Sequence, residues 1–179
     1  MKEIQNRPPG KQLGQGMLIA CLIIGLAGLT FFFDELLGQQ INPNQNPQSY
    51  EGNNGFREVI LQQNRQGHCV TSGVINGVPV TFLLDTGATD VAIPSHIANL
   101  AGLVAGTTSQ AATANGVINV FATSIDELSI GSIALSNVSA SIASNMPGET
   151  ILLGMSALRQ VEFTQRGTTL TLRHLADRQ

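Results

Sequence analysis

Apolar residues are arranged in two distinct ways along this chain. From Met17 to Phe33 they form one uninterrupted run, MLIACLIIGLAGLTFFF, that carries no charge. From Phe56 onward they come in short alternating or β-branched bursts separated by turn residues. With Gly14-Gln15-Gly16 ahead of it, the run approaches the ~20 residues that span a bilayer as a helix. Lys2, Arg7 and Lys11 precede it against a single Glu3, and Asp34 and Glu35 come directly after it. By the positive-inside rule the N-terminus stays in the cytoplasm and the rest is exported. A cleaved signal peptide is the competing reading, but the apolar core is long for one and no clean small-x-small site precedes Asp34. A helix that is apolar all round also fits lipid better than one-sided burial in a soluble core. The expected layout is a cytoplasmic tail (1–13) and a retained single-pass transmembrane helix (14–33) in the inner (plasma) membrane. The remainder of the chain, from residue 34 on, would be exported, periplasmic in a Gram-negative cell.

Residues 34–55 are expected to be a flexible linker. Gln39 to Gly55 is almost entirely Asn, Gln, Pro and Gly, with too little apolar surface to offset its ordering entropy. As a random coil it would span about 20–25 Å. The folded domain would then occupy 56–179. Phe56–Gln62, Cys69–Ile75, Val78–Leu84, Ser124–Ile130 and Ile133–Ala143 read as strands. Asn76-Gly77 is a two-residue hairpin signal, Gly131-Ser132 a second break, and Arg166-Gly167 a turn between alternating segments. Ser95–Ala101 is the best helix candidate, with Ser95 placed to cap it. Short, regularly spaced strands predict a small all-β barrel or sandwich.

The 179 residues leave room for one ordinary domain beyond the anchor. A net charge of −3 without a basic stripe gives no pointer to nucleic acid. Of the two cysteines, Cys21 lies inside the apolar run, which argues against pairing with Cys69. Several chemistries are excluded. No lysine occurs after residue 55, so the exported part has no Ser-Lys dyad, and no G-x-S-x-G elbow occurs. His68, His96 and His174 lack zinc-ligand spacing, and phosphate-binding Gly-rich loops are absent. Neither a metal nor a cofactor is expected. His68 and Cys69 are adjacent, so in a strand they point to opposite faces.

One stretch carries chemistry: Phe82-Leu83-Leu84-Asp85-Thr86-Gly87-Ala88-Thr89-Asp90. A hydrophobic strand runs directly into a carboxylate, a hydroxyl and a glycine. Asp85 would sit partly desolvated at the strand end, Thr86 could fix the loop through its hydroxyl, and Gly87 would permit a sharp turn and close approach. Alone, Asp-Thr-Gly also reads as an Asx-turn. A second element lies near the C-terminus, Ile151-Leu152-Leu153-Gly154-Met155-Ser156-Ala157-Leu158, and between the two lies Thr113-Ala114-Asn115-Gly116.

Together these resemble the retropepsin-like aspartic proteases over roughly 56–173. The first stretch is similar to their active-site signature, and the second to the hydrophobic-hydrophobic-Gly motif that passes beside the catalytic loop into a short helix. The third falls where the family carries its flap hairpin. More narrowly, the chain looks like the bacterial single-pass, membrane-anchored branch. The resemblance implies a retropepsin-like closed barrel half with one or two short helices and Asp85 as catalytic carboxylate. Thr86 and Gly87 would support the catalytic loop, and Ala88, Asp90, Asn115 and Gly116 would contact a polypeptide substrate. Thr89 stands where retroviral enzymes often carry an acid, which leaves Asp90 as the nearby candidate for that contact. Only one Asp-Thr-Gly is present, whereas the reaction needs one ionised and one protonated carboxylate. The resemblance therefore implies a homodimer with the site on its two-fold axis, and a membrane partner for the helix. The alternative, from a different class, is a catalytically silent module that dimerises and grips extended peptides by strand addition.

Overall fold

The computed structural model describes residues 9–52, 55–113 and 116–175. The chain divides into two compact units, one ending at Gly38 and the other beginning at Gln39. Helix α1 runs over Pro9–Ile41, so it continues past Asp34 and Glu35 rather than stopping at Phe33. Over Gly14–Ile41 it is long and apolar enough to cross a membrane, and none of it is buried. Ile24 and Phe31 are 71% and 76% exposed. The Thr30 hydroxyl donates to Leu26 O at 2.7 Å, which satisfies it within the helix.

The second unit is built of strands. A 7-stranded sheet runs in the order β3-β4-β9-β5-β8-β7-β6, from β3 (Val70–Ile75), β4 (Val78–Leu84), β5 (Val91–Pro94), β6 (Thr108–Thr113), β7 (Gly116–Ile130), β8 (Ile133–Ala143) and β9 (Thr150–Leu153). β3 also pairs with β7 through Val74↔Ser129 and Ile75↔Leu128, which closes the sheet into a barrel and leaves β6 and the start of β7 as a projecting hairpin. A 4-stranded sheet, β1-β2-β11-β10, combines β1 (Gln48–Glu51) and β2 (Phe56–Gln62) with β10 (Glu162–Arg166) and β11 (Thr169–Leu175). One apolar core joins both sheets, with Leu61 and Leu172 from the smaller packed with Phe82, Ile93, Ile125 and Ile151 from the larger.

Local sequence explains the turns. Asn76 and Gly77 both take positive φ, 48° and 82°, as a tight hairpin between right-twisted strands demands. Asn76 also docks the turn on β7, with its N–H donating to Glu127 O at 2.9 Å and its Oδ1 accepting from Glu127 N at 3.1 Å. Helix α2 spans Ser95–Leu100. Its cap differs from expectation: Pro94 occupies the cap position with no side-chain bond, and Ser95 Oγ instead reaches Ser144 O at 3.5 Å. Helix α3 is the single turn Met155–Leu158.

The linker expectation is corrected over much of its length. Asn42 and Asn44 are only 8% and 4% exposed. Asn44 Nδ2 donates to Gln62 O (2.8 Å) and Val70 O (2.6 Å), while its Oδ1 accepts from Gln62 N (2.7 Å). Its carbonyl accepts from Ser72 N at 3.1 Å. One side chain thus joins β2 of the smaller sheet to β3 of the larger. β1 then adds to β2 with Gln48↔Ile60 through Glu51↔Arg57 in register. The physical reason is that amide side chains supply backbone partners as well as solubility. A polar segment of this kind can be ordered by hydrogen bonding without burying apolar surface.

Candidate active site

β4 delivers Asp85. Its apolar residues place Phe82 in the core, fully buried, and the strand lies parallel to β9 with Leu84↔Leu153 as the last pair. Beyond that pair Asp85 N donates to Leu153 O at 3.1 Å, and the chain turns away from the sheet. Asp85 is half-buried while Thr86 and Gly87 are exposed. Asp85 Oδ1 accepts from Gly87 N at 2.9 Å, an Asx-turn that fixes the carboxylate against its own loop. Gly87 keeps φ outside the left-handed region, unlike the sharp turn expected. What glycine supplies there is room, since a Cβ would stand 3.1 Å from Asp85 Oδ1. No hydrogen bond of the Thr86 hydroxyl occurs among the described residues, so that group does not hold the loop here.

The loop is held by the second motif. Met155 N donates to Ala88 O at 2.8 Å and Ser156 N to Thr89 O at 2.9 Å. A Cβ at Gly154 would overlap the Asp90 carbonyl and come within 2.8 Å of Ala88 O, so only glycine lets the two segments lie this close. Ser156 Oγ accepts from Val91 N at 3.1 Å and donates to Ser139 O at 2.7 Å. It links the end of the Asp85 loop to β8. The sequence alone assigns Ser156 no role, because its partners are distant in the chain.

Asp85 borders two hollows. The larger, of about 930 Å³, is lined by the loop residues Asp85, Gly87, Ala88, Thr89 and Asp90 and by the β6–β7 hairpin through Gln110, Ala111 and Ile118. Asn145, Met146 and Pro147 line it as well, which nothing in the sequence marked. The smaller, of about 280 Å³, is lined by Asp85 and Thr86 with His68, Cys69, Leu158 and Phe163. Burial pushes the Cys69 thiol above its ordinary range, which keeps it neutral and inert near neutral pH. Among the expected site residues, Ala88 and Asp90 do line the larger hollow with Asp85. Gly116 pairs with Thr113 across the hairpin and so belongs to its strand rather than its tip. Asn115 lies outside the described residues.

The fold resembles that of a retropepsin-like aspartic protease from Rickettsia conorii, with a TM-score of 0.55 at 24% identity, over 72% of this chain and 94% of that one. Residues 71–160 match the family described as "gag-polyprotein putative aspartyl protease". That stretch holds both the Asp85 loop and the Gly154 segment. The chain belongs to the retropepsin-like aspartic protease family. It is also 33% identical over 117 residues to an uncharacterised protein from the cobV 5′ region of a Sinorhizobium species, covering 64% of this chain and 50% of that protein. The chain therefore spans about half the length of that relative.

Proposed function

We propose that the protein is an aspartic endopeptidase acting as a homodimer, with one Asp85 from each protomer. The observation that carries this reading is the placement of Asp85: half-buried at a strand end, fixed by Gly87 N, and opening onto a cleft large enough for an extended peptide. In the reaction, one carboxylate is ionised and takes a proton from water as the oxygen attacks the scissile carbonyl. The other is protonated and donates to the carbonyl oxygen. Collapse of the tetrahedral intermediate breaks the C–N bond: the first carboxylate returns its proton to the leaving amine nitrogen, and the second recovers a proton from a hydroxyl of the diol as the carboxyl product forms. Two carboxylates held close share a proton because both cannot ionise together. One protomer has a single Asp-Thr-Gly loop, so the second carboxylate comes from its copy.

In this reading Gly87 keeps space beside Asp85, and Thr86, exposed at the rim, lies where two protomers meet. Ala88 and Asp90 contact substrate, and the hairpin carrying Asn115 and Gly116 closes over it. Helix α1 serves as a single-pass anchor, as in the bacterial membrane-bound branch of the family, with the domain exported from the cytoplasm. A shared membrane would raise the effective concentration for pairing.

The test is a peptide-library digest by the full chain in detergent, beside an Asp85→Asn control of equal folding. Cleavage by the wild type and none by the control is expected. A folded, dimeric wild type that binds library peptides yet cuts none between pH 3 and 8 would replace the enzyme with a peptide-binding module.

A further inference from the structure

The smaller hollow beside Asp85 holds a titratable group that the proposed chemistry leaves unused. Strands β3 and β4 pair antiparallel with Val70 opposite Leu83, and the pairing runs one step further, where Leu84 N donates to Cys69 O at 3.0 Å. The next step in that register sets His68 across from Asp85. Both residues line the hollow, and side chains directly across an antiparallel pair are close enough to interact. Strand alternation would send His68 and Cys69 to opposite faces, but β3 begins only at Val70, and the two border the hollow together.

His68 combines a fixed backbone with an unpartnered ring. Its N–H donates to Asn64 Oδ1 at 3.0 Å, and its carbonyl accepts from Asn64 N at 2.8 Å. Gly67, at φ 80°, closes the turn with its N–H on Asn64 O at 3.0 Å. The residue is exposed, and its imidazole has no hydrogen bond or ion pair among the described residues. Asp85 and Cys69 are the other ionisable groups in the lining, and burial keeps the Cys69 thiol neutral. Arg65 of the same turn, Arg159 after α3, and Glu162 and Arg166 of β10 are exposed and do not line the hollow. Among the described residues, a protonated His68 is therefore the cation that shares this hollow with the Asp85 carboxylate.

We infer that His68 is a positioning residue for the reaction, placing a positive charge beside Asp85 that favours the ionised carboxylate and extends activity to lower pH. The inference rests on the protease reading above. Imidazoles change charge between about pH 5 and 8, so the ring is cationic on the acid side. The working pair needs one ionised carboxylate, and activity is lost on that side when this carboxylate takes up a proton. A neighbouring cation opposes the uptake, so the acid limb of the profile lies lower with His68 charged. At an exposed position the effect is about half a pH unit. In a two-fold dimer each Asp85 has its own His68, and the pair stays symmetric.

The test measures kcat/KM against pH for the full chain in detergent, as wild type, His68→Gln and His68→Arg. The acid limb should move to higher pH in His68→Gln and stay near the wild-type position in His68→Arg, which restores the charge. The difference between wild type and His68→Gln should shrink at high salt, where such a contact is screened. A cleavage-independent arm follows the Asp85 carboxyl carbon by NMR in aspartate-labelled full chain, assigned by its loss in Asp85→Asn. Its titration should also move to higher pH in His68→Gln. Cleavage with an acid limb that does not move in His68→Gln, or that moves equally in His68→Arg, overturns the inference and leaves the protease reading intact. Absence of cleavage with an Asp85 titration that moves in His68→Gln and returns in His68→Arg overturns the protease reading and supports the charge coupling. Neither cleavage nor a moved titration overturns both.

Discussion

The candidate site combines a local contact, Gly87 N on Asp85 Oδ1, with links between residues far apart in the chain. Asp85 was legible because its signal is contiguous: an apolar strand, then Asp-Thr-Gly. Ser156 was not, because it bonds Val91 and Ser139 across the fold, and no local pattern announces such a link. Ser156→Ala should leave Val91 N–H and Ser139 O without this partner and cost about 1–2 kcal/mol, measured by denaturant unfolding. It should also lower kcat more than it raises KM, since it loosens the Asp85 loop. Gly154→Ala should cost more, about 2–3 kcal/mol, because the backbone of Asp90 cannot give way as a flexible side chain would. Cys69 carries a pH signature. Its thiol is raised by burial from 9.0, so the folded state holds its proton longer than the unfolded chain. That contribution is fully present below the unfolded value and is lost as pH rises through the folded one. Stability should therefore decline as pH rises above about 9, and Cys69→Ala should flatten that decline in unfolding curves measured across the same range.

At the scale of elements, periodicity served where one face of a strand is buried. Phe56–Gln62, Val78–Leu84 and Ile133–Ala143 fold as strands over the expected residues. β7 was recognised only over its second part, because its first residues project in a hairpin and Val117-Ile118-Asn119-Val120-Phe121 does not alternate apolar with polar. β1 was missed because backbone pairing with β2 orders it while all four of its residues stay exposed, and the Asn42–Asn44 segment because its amide side chains order it. Asn44→Ala removes three side-chain bonds to Gln62 and Val70, the one to Val70 O buried and the two to Gln62 part-buried, and takes this partner from each of those backbone groups. A loss of about 3 kcal/mol or more is expected, read as a lower unfolding midpoint. A chain cut back to residue 56 should fare no better, since it lacks the same link. The β6–β7 hairpin should behave in the opposite way. Gly116 has φ +115°, which a β-branched side chain resists. Gly116→Val should reduce kcat/KM by tenfold or more as closure over substrate fails, with a smaller effect on the thermal midpoint than Asn44→Ala. Equal losses of stability in the two variants would make the hairpin an ordinary structural element.

For the molecule as a whole, the sequence divides where the fold divides, though earlier than composition indicates. The folded unit begins at Gln39, soon after the apolar run ends at Phe33. A reporter fused after Gln179 should be active only outside the cytoplasm. A cytoplasmic signal alone would reverse the proposed orientation. The central claim is that catalysis needs two Asp85 carboxylates, one from each of two chains. Mixing tests it most directly: full-length wild type and Asp85→Asn are combined in detergent, allowed to exchange, and assayed at constant total protein. If both carboxylates are required, activity should follow the square of the wild-type fraction, falling to about one quarter in an equal mixture of randomly paired chains. A decline in simple proportion, to about one half, would contradict the account, because each wild-type chain would then be working alone.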